Sequence, residues 1–222
     1  MLKYVSSALF ICLFSLSSAH ATDKIKMYFN NEELSKVIEI YSKATGQKFV
    51  LDPGVRGKIS IFNQEPVELT EAFNQLSLAL STNGFAISKQ ADVMVVKSAR
   101  SIQRDLIDVT TEVPSVTPQR MVAWVVKLKN ISVEDVMREV RVLPSRDGEM
   151  NSVSATNQII FTDWSSNIVR IAEILKTLDK PVDSATKKLI DTARKDRHAA
   201  RRHSVREAHG PAEPPPASPK GQ

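Results

Sequence analysis

Between residues 22 and 182 the chain has no cysteine and no histidine: its one Cys is Cys12, and its four His are His20, His198, His203 and His209. That absence constrains the fold more than any motif does. Small domains with thin cores are commonly stapled by disulfides or by a Cys/His zinc site, and neither is open to this stretch. Apolar packing alone must hold it, and with 42% hydrophobic residues in the chain there is enough to build one or two small cores. Chemistry is excluded by the same absence, since a Cys or Ser nucleophile paired with His, a zinc centre and a histidine pH switch all need residues that are missing. No cofactor is expected. Residues 22–182 hold equal numbers of basic and acidic side chains, so the net charge of +5 arises mostly after residue 182. An argument from basic charge to nucleic acid has to rest on that tail.

Residues 1–21 read as an export signal. Lys3 gives a positive start, Ala8-Leu9-Phe10-Ile11-Cys12-Leu13-Phe14-Ser15-Leu16 is apolar, and Ala19 and Ala21 place small residues at the cleavage-reading positions. The apolar run is shorter than the roughly 20 residues a membrane span needs. Cys12 lacks the preceding small residue of a lipoprotein signal. The expected destination lies beyond the cytoplasmic membrane, in a compartment that would permit disulfides.

A first module is expected over residues 24–98. Ile25, Met27 and Phe29 alternate with Lys24, Lys26 and Tyr28, as in a half-buried strand. Asn30 or Asn31 can cap a helix in which Leu34, Val37, Ile38 and Tyr41 share one face, with Glu32 and Glu33 near its positive end and Gly46 closing it. Residues 48–52 and 58–62 read as strands around the turn Asp52-Pro53-Gly54-Val55-Arg56-Gly57. A second helix starts near Thr70, faces inward with Phe73, Leu76, Ala79 and Leu80, and stops at Asn83-Gly84. Residues 85–89 and 93–97 form a hairpin.

Residues 99–119, with Pro114 and Pro118, read as a linker with a short extended stretch at 106–109. A second module is expected over 120–181. Val122, Trp124, Val126 and Leu128 alternate along a strand, and Ser132 with Asp135 forms an S-x-x-D cap before Val133, Val136, Met137 and Val140. Residues 150–155 and 158–162 pair about Thr156-Asn157. Ile168, Ile171, Ala172, Leu175 and Leu178 make the inner stripe of a final helix that Lys180-Pro181 closes. The order β-α-β-β-α is the KH-like layout. The fold class is therefore α+β, two small αβ sandwich modules, followed over 182–222 by a short helical extension and a disordered basic Arg/His/Pro-rich tail.

Four motifs in order carry a resemblance: Phe49-Val50-Leu51-Asp52-Pro53-Gly54-Val55-Arg56-Gly57-Lys58-Ile59-Ser60; Asn83-Gly84-Phe85-Ala86; Val125-Val126-Lys127-Leu128-Lys129-Asn130; and Gln158-Ile159-Ile160-Phe161-Thr162-Asp163 with Ser166-Asn167-Ile168 and the helix beyond. Residues 25–100 resemble the first periplasmic N-domain of secretins, the ring channels of the bacterial outer membrane, and residues 120–181 resemble the second. The resemblance is to the type II secretion secretin in particular. The resemblance implies a non-enzymatic periplasmic role, in which the first domain docks the inner-membrane platform protein and the second packs in a ring with copies of itself or with a full-length secretin. A secretin continues into further modules and a β-rich channel domain, and nothing of that kind follows Pro181. The expectation is a docking and scaffold module without its own pore, either freestanding or the front of a frameshifted secretin. A signalling domain of the TonB-transducer type, which resembles the first module only, is the alternative.

Candidate contact residues follow from exposure patterns. Lys24, Lys26, Tyr28 and Asn30 form the outward face of a first strand that a partner strand can pair with. Arg138 and Arg141 on one helix and Glu173 on another suit a head-to-tail contact in a ring. Gly54-Val55-Arg56-Gly57 fits the G-x-x-G pattern of a KH nucleic-acid clamp, but its flanking strands make it a structural turn. No nucleic acid is expected, and membrane contact only indirectly or through the tail. Glu65, Glu68 and Glu71 surround a helix start, where carboxylates serve the dipole. His198, His203 and His209 are spaced five and six apart and make no metal pair on a helix. Trp124 and Trp164 read as packing residues.

Overall fold

The computed structural model describes residues 24–104 and 107–208. The expected export signal and residues 209–222 of the tail lie outside them. The first module runs β1 (Lys24–Ile25), β2 (Tyr28–Glu33), α1 (Leu34–Thr45), β3 (Lys48–Leu51), β4 (Lys58–Phe62), β5 (Val67–Glu68), α2 (Leu69–Thr82), β6 (Phe85–Gln90), β7 (Val93–Ser98) and α3 (Ala99–Ile102). The expected alternation is present as burial, with Ile25, Met27 and Phe29 inside and Lys24, Lys26 and Tyr28 outside. It belongs to two short strands and not to one. β1 pairs antiparallel with β5, and β2 with β4. Between them Asn63 bridges the bend, donating its backbone N–H and its Nδ2 to Met27 O at 3.2 and 3.1 Å.

Neither Asn30 nor Asn31 caps α1, which corrects the expectation. β2 continues to Glu33, and Asn31 takes φ 53° in a bulge where the register slips between Phe29↔Ile61 and Glu32↔Ile59. The first helical amide, Leu34 N, instead donates to Gly57 O at 2.9 Å. A backbone carbonyl of a distant loop thus does what a side chain at the helix start was expected to do. Gly57 suits that approach, because its φ of 132° is hostile to other residues and a Cβ there would lie 2.8 Å from Asn83 Oδ1. Leu34, Val37, Ile38 and Tyr41 are buried together with Leu76 and Leu80 of α2, and each such apolar side chain stabilises by about 1.5–3 kcal/mol. The strands flanking the 52–57 turn part company. β3 joins a three-stranded sheet in the order β3-β7-β6, parallel to β7, while β4 stays with β2.

The second module comprises β8 (Asp108–Thr110), β9 (Met121–Lys127), α4 (Val133–Glu139), β10 (Glu149–Val153), a 3-10 turn at Ser154–Thr156, β11 (Gln158–Trp164) and α5 (Ser165–Leu178), followed by α6 (Ser184–Ala208). Its sheet has the order β10-β11-β9-β8 with β8 parallel to β9. The β-α-β-β-α order therefore holds with one strand added. The stretch read as a linker supplies that strand and also α3, whose Ala99 and Ile102 pack with Ala86, Met121, Trp164 and Ile107 in a small cluster joining the modules. Arg100 Nη2 donates to Arg146 O at 2.7 Å and Gln103 Nε2 to Glu149 Oε1 at 3.2 Å across the same junction.

Two carboxylates tie the second module together. Asp163, fully buried, accepts from Ser145 N and Asn167 Nδ2 on Oδ2 and from Ser145 Oγ and Trp164 N on Oδ1, all at 2.6–2.7 Å. Asp179, just beyond α5, accepts from the backbone amides of Lys129, Asn130 and Ile131. Burial pushes the Asp179 carboxyl up, but those amides outweigh it and hold it below the usual value.

The disorder expected of the tail beyond a short helical extension is corrected as far as Ala208, since α6 is helical over Ser184–Ala208. Core-forming residues are indeed scarce there. Ala, Lys and Arg are nonetheless strong helix formers, and no Gly or Pro occurs between Ser184 and Ala208. Asp183 starts α6 by accepting from Ala185 N and Thr186 N at 3.0 Å. Over residues 184–200 every residue except Arg194 is exposed.

Candidate docking surface

Residues 24–33 and 58–68 together make a bent antiparallel ribbon, and one edge of β1 and β2 is left without a pairing strand among the described residues. An unpaired edge presents backbone N–H and C=O groups to solvent, which is the requirement for adding a strand. Lys24, Lys26, Tyr28 and Asn30 are all exposed on this ribbon, though the bend divides them: Lys24 lies in β1 opposite Glu68, Lys26 in the bend, Tyr28 and Asn30 in β2. Beside them lies a residue that the sequence reading passed over. Phe62 sits opposite Tyr28, the rings meet edge-on at 5.6 Å, and the two are 62% and 52% exposed. Only the pairing register brings them together, so local pattern could not have found the pair. Two aromatic rings held open to water at an unpaired edge supply apolar area next to free backbone groups, the combination a strand-adding partner uses. Lys58 and Glu33 face each other at 3.8 Å at the far end.

The three residues read as ring contacts stand on or just after α4 and on α5. Arg138 on α4 is committed within the chain, with Nη2 2.7 Å from Asp135 Oδ1 and Nε 3.0 Å from Glu139 Oε1. Arg141 follows the end of α4 and Glu173 lies on α5; both are exposed and neither makes an ion pair among the described residues. Asp135 is the hub beside them. Burial raises its carboxyl, yet hydrogen bonds from Ser132, Arg194 and Arg138 prevail and bring it down to about 2. Arg194 of α6 reaches both Asp135 and Ser132 Oγ, so the basic helix is tied to the cap of α4.

Gly54-Val55-Arg56-Gly57 is a closed turn. Asp52 Oδ1 accepts from Gly54 N at 2.8 Å, Asp52 O from Val55 N at 2.9 Å, and Val55 is buried in the first core. Glu68 precedes α2 and Glu71 lies in its first turn, accepting from Gln75 Nε2 at 2.9 Å, while Glu65 is exposed. Trp124 stacks on Phe161 at 5.9 Å and donates Nε1 to Thr111 O, and Trp164 is buried at the junction. His198 and His203 lie on α6, and His209 is outside the described residues. Among the described residues no group of three or more His, Cys, Asp or Glu is placed to hold a metal ion, and no helix is long and apolar enough to cross a membrane.

Residues 27–96 match the family described as the GspD-like N0 domain. The chain is 26% identical over 162 residues to Secretin XcpQ of Pseudomonas aeruginosa, covering 73% of this chain and 23% of that protein. It is 25% identical over 174 residues to Secretin ExeD of Aeromonas hydrophila, covering 77% and 26%. A solved type II secretion system outer membrane complex of Klebsiella pneumoniae, comprising PulD, PulS and the PulC HR domain, aligns with a TM-score of 0.62 at 20% identity over 70% of this chain and 27% of the matched chain. The chain thus corresponds to about a quarter of the length of the secretins it resembles.

Proposed function

We propose that this chain, whose residues 27–96 form a GspD-like N0 domain and whose body is related to the N-terminal region of type II secretins, is a periplasmic docking and scaffold module of a type II secretion apparatus. Its first module receives the inner-membrane platform protein on the β1–β2 edge. Its second module packs beside copies of itself or of a full-length secretin. The observation that carries the reading is the unpaired ribbon edge with the exposed Tyr28–Phe62 pair, on a domain of the N0 type. A solved relative of this fold includes an HR domain beside its secretin, which supports the same partner class here. The secretin match of 162 residues is too long for the first module alone, which favours this reading over a TonB-transducer-type signalling domain. No turnover is part of the role.

A strand-adding contact on so short a ribbon buries less than about 1,200 Å², which suits a transient contact. The test is binding to the isolated periplasmic homology region of the platform protein. Tyr28→Pro removes a backbone donor from β2, and Phe62→Asp removes the aromatic face while leaving every β2 backbone group in place. With circular dichroism matched to the parent, each is expected to weaken binding at least about tenfold. Parent-like binding by both folded variants would show that the edge is not the docking site.

A further inference from the structure

The segment 179–183 turns the chain out of α5 and into α6, and a groove of about 740 Å³ lies between α6 and the neighbouring end of the second module. Its floor is apolar. Ile131 lines it, and Leu178, Val182 and Ile190 are 42%, 47% and 39% exposed within it. Side chains of this type ordinarily pack, and here three of them are gathered at one place, whereas Leu189 of α6, 72% exposed, lies outside the groove.

The rim has the opposite character. Arg138 and Arg194 are neutralised by Asp135 and Glu139. Lys129, Lys180, Lys187 and Arg197 also line the groove, are exposed and make no ion pair among the described residues, against the single free carboxylate of Asp191. The body of the protein is electrically balanced, so this is a local surplus at an apolar floor. Coulomb attraction would select a carboxylate-bearing ligand, and the floor would demand that the ligand also carry apolar side chains on one face. From Lys187 to Arg197 the wall of α6 extends ~15 Å, the length of about three helical turns.

We propose that this groove is a docking site for an acidic amphipathic segment of a partner protein, which lays leucine-type side chains on Leu178, Val182 and Ile190 and sets its carboxylates against Lys180, Lys187 and Arg197. The site is separate from the β1–β2 edge and does not depend on it. It also accounts for a long helix kept almost wholly out of the core: α6 serves as one wall of a cleft, held in place by Asp183 at its start and by Arg194 on Asp135.

The probe is a short fluorescein-labelled peptide with Leu at i, i+3, i+4 and i+7 and Glu at most other positions. Its scrambled isomer keeps the charge and loses the apolar face. Anisotropy with the full chain is expected to show saturable binding in the roughly micromolar range, at least about tenfold weaker for the scrambled isomer. Ile190→Asp and the double variant Lys187→Glu, Arg197→Glu change only exposed side chains and are each expected to weaken it by about tenfold or more. No binding by the parent chain overturns the proposal. So does equal binding of both isomers, or unchanged binding by Ile190→Asp, since either would reduce the site to charge alone. Binding to phosphatidylglycerol vesicles in place of the peptide would assign the cations to a lipid surface and overturn it as well.

Discussion

Replacing Gly148 by alanine adds one methyl group, and the structure says where that group must go. An ideal Cβ at Gly148 would lie 2.2 Å from Asp163 Oδ2 and 2.5 Å from its Cγ. Backbone strain does not enter, because Gly148 is not in the left-handed region. The outcome therefore depends on whether Asp163 can yield. It is fully buried and short, and Oδ2 is held by Ser145 N and Asn167 Nδ2 while Oδ1 is held by Ser145 Oγ and Trp164 N. Swinging Oδ2 away gives up two hydrogen bonds to a charged group, at about 1.5 kcal/mol or more each, so a loss of about 3 kcal/mol is expected. Both tryptophans belong to the second module, so tryptophan fluorescence during urea unfolding reports on that module. Gly54→Ala, whose Cβ would meet Asp52 Oδ1 at 3.1 Å on an exposed turn of the first module, is the control; followed by far-ultraviolet circular dichroism, which reports on both modules, it is expected to cost less than about 1 kcal/mol. If Gly148→Ala shifts the transition by less than about 0.5 kcal/mol, Asp163 and the 145–148 loop are free to rearrange and the clamp described above is wrong.

Acid should loosen the second module in a defined window. Asp135 is depressed from 3.8 to about 2, so its contribution is fully present above about pH 4 and is lost as pH falls through 2, about 2 kcal/mol in all; between pH 5 and pH 2 the unfolding free energy from urea titrations should fall further in the parent than in Asp135→Asn by that amount. Asp179→Ala leaves the amides of Lys129, Asn130 and Ile131 without their carboxylate; water can reach them, so a loss of about 2 kcal/mol is expected by the same fluorescence assay. Arg194→Ala removes the tie between α6 and the α4 cap, and because Arg194 is partly solvated the module should lose less than about 1 kcal/mol. Amide exchange at residues 184–194 should quicken by more than the global change explains.

What could be read from local pattern and what could not have different physical sources. Leu34, Val37, Ile38 and Tyr41 were legible because helical periodicity and the closing Gly46 are written within thirteen residues; so were Ser132 with Asp135 and the Thr156-Asn157 turn. The division of the first strand was not, because it depends on Asn63 reaching Met27 from across the ribbon. Asn30 and Asn31 were good capping residues by type, yet the carbonyl of Gly57 occupies that role. The short extended stretch expected at 106–109 overlaps β8, but its place in the second sheet was not legible, because it rests on parallel pairing with β9. α6 was misread for another reason: a lack of core residues excludes packing, not helix. Tyr28 was legible as an exposed residue, whereas its pairing with Phe62 rests on register alone.

The central claim is that the β1–β2 edge receives the platform protein, and it is tested most directly by nuclear magnetic resonance. The ¹⁵N-labelled chain is titrated with the unlabelled periplasmic homology region of the platform protein, and amide shifts are followed along the whole chain. The account predicts saturable changes concentrated in residues 24–33 and 58–62, with amides of β2 gaining protection from exchange as a new strand pairs with them. Changes confined to the second module, or none at saturating partner, would contradict it.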